Sequence, residues 1–312
     1  MTATSGRHQR GRFGAVAKIP RMAELRNLRA EDADEVAALL RQNPHRTTDA
    51  EEVRSWLAQS AMDPEDLRVL AHDGATVGYV DLMVREEVVN VDLAGRGRED
   101  ELLEWAEQRA REKGASHARV TTWEGQDELA SLLARRGYER IRSSFEMSIA
   151  FGEEPPTAPT WPDGVRLRAY RHPEDEQLAH ELQEEIFRDS WDYRPTTFEQ
   201  WRDFQVSARG FDPSLWFFAV AGDEPTGLVL AFPERVGEPD HGYVSILGVR
   251  RQWRRRGVAE ALLRHAFCAL HERGRRRVSL GVDAESPTGA TRLYERVGMT
   301  VTVAADTWEK RV

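Results

Sequence analysis

Tyr243-Val244-Ser245-Ile246-Leu247-Gly248-Val249-Arg250-Arg251-Gln252-Trp253-Arg254-Arg255-Arg256-Gly257-Val258-Ala259 runs from an apolar strand through a basic turn into a helix. The helix is read from Ala259, Leu262, Leu263, Ala266, Phe267 and Leu270, whose spacing lines one buried face, and Gly274 closes it. At such a junction the first N–H groups of the helix lack intrahelical partners, so the turn is an anion site. Gly257 lets a ligand approach the backbone and Ala259 keeps the next position small, while Arg254, Arg255 and Arg256 add positive potential. A second, short helix is expected around Leu293-Tyr294-Glu295, with Ser286 as its N-cap and Pro287 in its first turn, which also aims Ser286 at a ligand.

The same order of elements occurs once before. Each half opens with an alternating strand (Leu25–Leu28; Val165–Arg168) and an acidic helix start. Each continues with two strands about a turn at Asp73-Gly74 or Gly222-Asp223, then a strand, a glycine-containing turn and an amphipathic helix. A further strand, a short helix and a final pair of strands are expected to complete each unit. Leu132-Leu133-Ala134-Arg135-Arg136-Gly137-Tyr138 aligns without gaps on Leu293-Tyr294-Glu295-Arg296-Val297-Gly298-Met299. The chain reads as a tandem duplication of one α/β domain. The units are expected at residues 22–150 and 163–312, joined by a Pro-rich linker at 151–162 and preceded by a disordered basic leader at 1–21.

Composition supports this division. At about 150 residues per domain, 312 residues make two domains. A chain 40% hydrophobic and 31% charged, with mean hydropathy −0.61, is globular, and no run of about 18 apolar residues is present to span a membrane. Cys268 is the sole cysteine, so no intrachain disulfide forms, as in a reducing cytoplasm. A net charge of −9 argues against general nucleic-acid binding, and the five basic residues of the leader leave the remainder more acidic still. Gly14-Ala15-Val16-Ala17 is too short for the apolar region of an export signal. A monomer or weak homodimer without metal, nucleic acid or membrane as partner is expected.

The pairing of Arg254-x-x-Gly257-x-Ala259 with Glu285-Ser286-Pro287-Thr288-Gly289-Ala290-Thr291-Arg292-Leu293-Tyr294-Glu295 resembles the GCN5-related N-acetyltransferase (GNAT) family. The likeness is strong over 163–312 and weaker over 22–150. The tandem layout, with the stretch from Phe187 to Phe211-Asp212-Pro213, is similar to the mycothiol synthase branch, in which an inactive unit precedes an active one. The resemblance implies an α+β fold: a mixed, mostly antiparallel sheet flanked by helices, with acetyl-CoA between two splayed parallel strands. It implies that the pyrophosphate sits on Arg254, Arg255, Arg256, Gly257, Val258 and Ala259, the pantetheine arm on the backbone of Leu247 and Val249, and that Tyr294 protonates the departing thiolate.

By internal alignment Gly97 stands opposite Gly257, Glu99 opposite Ala259 and Leu133 opposite Tyr294. A carboxylate at the turn repels an anion and a leucine has no proton to give, so the first unit is expected to keep the fold without the chemistry. In the second unit an amine acceptor must lose a proton, and Glu238, Asp240 and His241 flank the strand as candidate bases, with water as a further route. Where the mycothiol synthase branch has a glutamate, this chain has Tyr243, which is counted with Asp189, Trp191, Asp192 and Tyr193 as the acceptor side. The expected activity is acetyl transfer to the primary amine of a small molecule. Mycothiol synthesis itself and a non-catalytic CoA-responsive module are the alternatives.

Overall fold

The computed structural model describes residues 23–59, 62–235, 237–286 and 288–312, so the leader at 1–21 and Pro287 lie outside the described residues. The first repeat runs β1 (Glu24–Asn27), α1 (Ala33–Leu40), α2 (Ala50–Trp56), β2 (Leu67–His72), β3 (Ala75–Arg85), β4 (Val88–Gly95), α3 (Glu99–Glu112), β5 (His117–Trp123), α4 (Asp127–Arg135) and β6 (Glu139–Ala150). The second repeats the order: β7 (Val165–Ala169), α5 (Glu176–Phe187), α6 (Phe198–Gln205), β8 (Trp216–Ala221), β9 (Glu224–Phe232), β10 (His241–Val249), α7 (Val258–Glu272), β11 (Arg277–Asp283), α8 (Ala290–Arg296) and β12 (Thr300–Arg311). Each repeat therefore ends in one long strand, where the sequence had suggested a pair.

Local chemistry recurs at matching positions. Asp49 caps α2 by accepting from the Glu52 N–H, and Thr197 caps α6 by accepting from the Gln200 N–H. Gly78 on β3 and Gly227 on β9 leave room for the helix leucines: a Cβ there would come within 3.1 Å of Leu102 Cδ1 or 3.3 Å of Leu262 Cδ1. Behind α4 the Tyr138 N–H donates to Leu133 O at 3.0 Å, and behind α8 the Met299 N–H donates to Tyr294 O at 2.9 Å.

The two repeats share one twelve-stranded sheet, ordered β1-β2-β3-β4-β5-β12-β6-β11-β10-β9-β8-β7. Each last strand has crossed into the other half. β12 pairs antiparallel with β5 from Ala305↔Trp123 to Arg311↔His117, and β6 pairs antiparallel with β11 from Arg277↔Ala150 to Asp283↔Ser144. The exchanged strands also pair with each other, closing the pseudo-symmetric centre. Thus the sheet divides between β12 and β6, not at the Pro-rich segment. Met147, from the first repeat, is fully buried in the core of the second half, and Trp308, from the second, packs on the core of the first with its indole N–H on Thr122 Oγ1 at 2.9 Å.

Residues 151–162 form neither helix nor strand, yet they are fixed along α7. The Phe151 ring lies 5.4 Å from that of Phe267, the Cys268 thiol is 3.7 Å from Pro156 O, and Pro162 sits beside Gly257. Among the described residues no helix is long and apolar enough to cross a membrane.

Because the exchange links both cores, the protein is predicted to unfold in one transition. A Met147→Ala variant, costing about 2–5 kcal/mol through its cavity, should lower the denaturant midpoint for tryptophans of both halves together. An early transition confined to the second half would contradict this linkage.

Candidate active site

β10 and β11 pair in parallel only at His241↔Arg277, Gly242↔Val278 and Tyr243↔Ser279, after which they diverge. A register shift between Val244 and Ile246 helps turn β10 away. The Arg250 N–H donates to Thr226 O on β9, so by antiparallel alternation Leu247 and Val249 turn their backbone groups toward the gap. An extended ligand laid there finds a strand edge.

The basic turn stands at the open end of this gap. Gly257 is the N-cap of α7 with φ +87°, a left-handed conformation that favours glycine, and Arg255 shares it at φ +64°. The backbone N–H groups of Arg255, Arg256 and Gly257 have no hydrogen-bond partner among the described residues, and those of Val258 and Ala259 begin the helix. Arg254 has a different role. Its N–H bonds Arg251 O, and its guanidinium donates to Val249 O at 3.1 Å and Ile186 O at 2.9 Å, tying the turn to β10 and α5. The Arg256 guanidinium lies over the Trp253 ring at 5.0 Å. The free donors and the diverging edge suit a diphosphate followed by an extended arm, the shape of a CoA thioester.

Tyr294 on α8 is buried, and burial pushes its phenol up to about 12. Its hydroxyl makes no hydrogen bond to the described residues and is not sealed from solvent. Ser286 does not cap α8 as the sequence suggested: Gly289, at φ +69°, is the cap, and the Ser286 hydroxyl meets Thr288 Oγ1 at 2.9 Å. A left-handed glycine starts the helix three residues closer to Tyr294 than the serine rule implied.

The three candidate bases collect at the closed end of the parallel pair. His241 is buried, and its Nδ1 lies 2.8 Å from Glu238 Oε2, while Nε2 is sealed without a partner among the described residues. Burial holds the imidazole below the ordinary histidine range despite the carboxylate. Glu238 is held below the usual carboxylate range by His241 and Arg277, against its own burial. Asp240 is exposed and contributes its carbonyl to the Arg276 and Arg277 N–H groups.

The residues assigned to the acceptor side are used differently. Trp191 lies against Arg119 and Arg142 of the first repeat, their guanidinium carbons 5.1 and 5.3 Å from its ring centre. Asp192 pairs with Arg119 and Arg194, Tyr193 donates to Glu184 at 2.5 Å, and Asp189 stands 3.6 Å from Arg254. The contacts with Arg119 and Arg142 brace the α5–α6 loop against the first repeat, a partnership invisible from a single repeat's sequence. Tyr243 alone of the five lies at the apex, with its hydroxyl over Gly281 where a Cβ would come within 3.5 Å. Sequence reasoning missed Glu146 and Arg235, joined at 2.5 Å next to this apex.

The first half shows the same gap, with β4 and β5 paired only from Val88↔His117 to Val91↔Val120. There the Glu99 carboxylate folds over the turn: a Cβ on Gly95 would meet its Oε1 at 3.2 Å. Leu133 occupies the Tyr294 position and is fully buried.

Residues 177–299 match the profile described as the Acetyltransferase (GNAT) family. The mycothiol acetyltransferase of Thermomonospora curvata is 30% identical over 239 residues, 73% of this chain and 76% of that protein. That of Salinispora arenicola is 34% identical over 179 residues, and here the alignment spans only about half of either chain, 54% and 55%. Among solved structures, a GCN5-related N-acetyltransferase from Sphaerobacter thermophilus superposes with a TM-score of 0.76 at 29% identity, covering 93% of this chain and 95% of that one. A tandem GNAT protein from the clavulanic acid biosynthesis pathway shares the fold at 17% identity, with a TM-score of 0.73 over 93% of this chain and 98% of the other. The chain therefore belongs to the GNAT acetyltransferase family, as two fused copies of its fold with their last strands exchanged.

Proposed function

We propose that the protein is an acetyl-CoA-dependent N-acetyltransferase for the primary amine of a small molecule, and that its second half, residues 163–312 completed by β6, is the catalytic one. The observation that carries this reading is asymmetry. Ala259 at the turn and Tyr294 on α8 occur together in the second half, beside the free N–H donors at Arg255, Arg256 and Gly257, whereas Glu99 and Leu133 stand in the places of Ala259 and Tyr294 in the first. A small-molecule acceptor is supported by the mycothiol acetyltransferases among the relatives.

The N–H groups of Arg255, Arg256 and Gly257 with the start of α7 hold the diphosphate, and the edge of Leu247 and Val249 orients the arm. Acetyl-CoA supplies an activated acyl group: a C–N bond to the amine forms, the C–S bond breaks and the thiolate departs. Tyr294 donates its phenolic proton to the sulfur as the C–S bond breaks and, because the thiol so formed is the stronger acid, the phenolate regains a proton from that thiol or from water afterwards. Keeping the phenol protonated is what burial achieves, since its raised pKa excludes the anionic form at neutral pH. His241 is the candidate base for the amine proton: it is neutral at pH 7, its Nδ1–H is fixed by Glu238, and its Nε2 has no partner among the described residues but is sealed from solvent, so the acceptor itself must open the way to it. Ser286 stays near the second helix entrance without a capping duty. The exchange of β6 and β12 gives one chain the two-fold pairing that a dimer would otherwise provide, so a monomer suffices. The single cysteine, held against Pro156, fits a reducing compartment such as the cytoplasm.

Tyr294→Phe is predicted to bind acetyl-CoA normally and to lower kcat by about 10²–10⁴-fold, read from thiol release. Unchanged kcat would remove the phenol from the reaction. A histidine whose pKa is lowered stays neutral down to a pH below its ordinary 6.5, so activity should hold at neutrality and fall as pH drops through that lower value. His241→Gln should abolish this acid limb of kcat/KM, and a limb that persists would assign it to another group. Tyr294, with its pKa near 12, predicts no alkaline fall of its own below about pH 10.

A further inference from the structure

We propose that Glu146, a residue of the first repeat, is the carboxylate that binds the acceptor's primary ammonium in the second half's site. This rests on the acetyltransferase reading above and names the group that recognises the amine. β10 itself carries no carboxylate between His241 and Val249, and its apex residue is Tyr243. The exchange brings β6 next to β11, where Glu146 is in register with Gly281. Residues in register share a face, and Gly281 faces the Tyr243 hydroxyl, so Glu146 opens on the same side of the sheet. Its nearness is felt electrostatically: after burial, Glu146 is the next cause raising the Tyr243 phenol.

The carboxylate is half committed. Oε1 accepts from Arg235 Nη1 at 2.5 Å, and Arg235 also donates to His45 O at 3.2 Å, so the orientation is fixed by both repeats. Oε2 has no hydrogen-bond partner among the described residues, and the side chain keeps 11% of its surface exposed. One anchored oxygen and one open oxygen beside the apex form a ready acceptor for an ammonium N–H, and charge assistance makes such a bond strong. A carboxylate already in place also offsets the cost of bringing a cation into a partly dry cleft.

Pseudo-symmetry supplies an internal control. On β5 the residue matching Gly281 is Thr121, and its partner on β12 is Thr307, which therefore stands where Glu146 stands. The Tyr243 position is Asn90, in register with Arg119. The carboxylate thus accompanies the open anion turn and Tyr294, and is absent where they are absent.

The test compares the full chain with Glu146→Gln, using glucosamine, phenethylamine and L-alaninamide as acceptors and following thiol release from acetyl-CoA. KM for the accepted amines should rise about tenfold or more, with calorimetric CoA affinity and melting temperature unchanged. Glu146→Asp keeps the charge and should fall between the two, which also serves should the glutamine variant not fold. Equal amine KM in wild type and Glu146→Gln overturns the proposal while leaving acetyl transfer intact. So does a loss of CoA affinity and stability without a change in amine KM, the mark of a purely structural ion pair. If the CoA-loaded wild type neither turns over nor binds any of these amines by calorimetry, the primary-amine reading fails and this assignment falls with it.

Discussion

The pairing of β6 with β12 at the centre of the sheet is the constraint on which the rest of the molecule depends. Had each long strand stayed with its own repeat, each half would have closed its own sheet and left an edge. Crossing over instead makes β12 an inner strand of the first half and β6 an inner strand of the second. Neither half then owns its core: Met147 fills one and Trp308 covers the other. Among the described residues the edges of the sheet lie at its far ends, on β1 and β7, which are short.

Shared structure does not bring the same side chains to both gaps. The gap between parallel strands is present twice because it follows from the fold: a strand, a turn and a helix wedge the sheet open in both repeats. What differs is a handful of side chains on that frame. A folded-over Glu99 fills one turn, whereas Gly257 with its free neighbours leaves the other open. The first half contributes instead through its contacts, with Arg119 and Arg142 lying against Trp191 and the His45 carbonyl holding Arg235. These contacts brace its sibling's candidate site.

Much of this was legible in the sequence because the signals were local. Helical spacing at Leu102-Leu103 and Leu262-Leu263 fixed the equivalence of the turns, and the gapless match of Leu133 with Tyr294 reappears as the same helix-end hydrogen bond. The exchange was not legible, since an alternating strand has the same period whichever neighbour it pairs with. Glu146 escaped for that reason. In Phe145-Glu146-Met147-Ser148-Ile149 it sits on the polar side of the alternation and reads as solvent-facing, but the second half covers that face. Trp191 and Asp192 read as the acceptor side because the arginines that engage them belong to a distant stretch of chain. Ser286 read as a cap because a left-handed Gly289 cannot be told from any other glycine in a sequence.

The central claim is that two copies of one fold serve a single catalytic site. Calorimetric titration of the full chain with acetyl-CoA tests it most directly. One molecule bound per chain is the predicted result, and two would show that the Glu99 turn still holds the cofactor and would contradict the account.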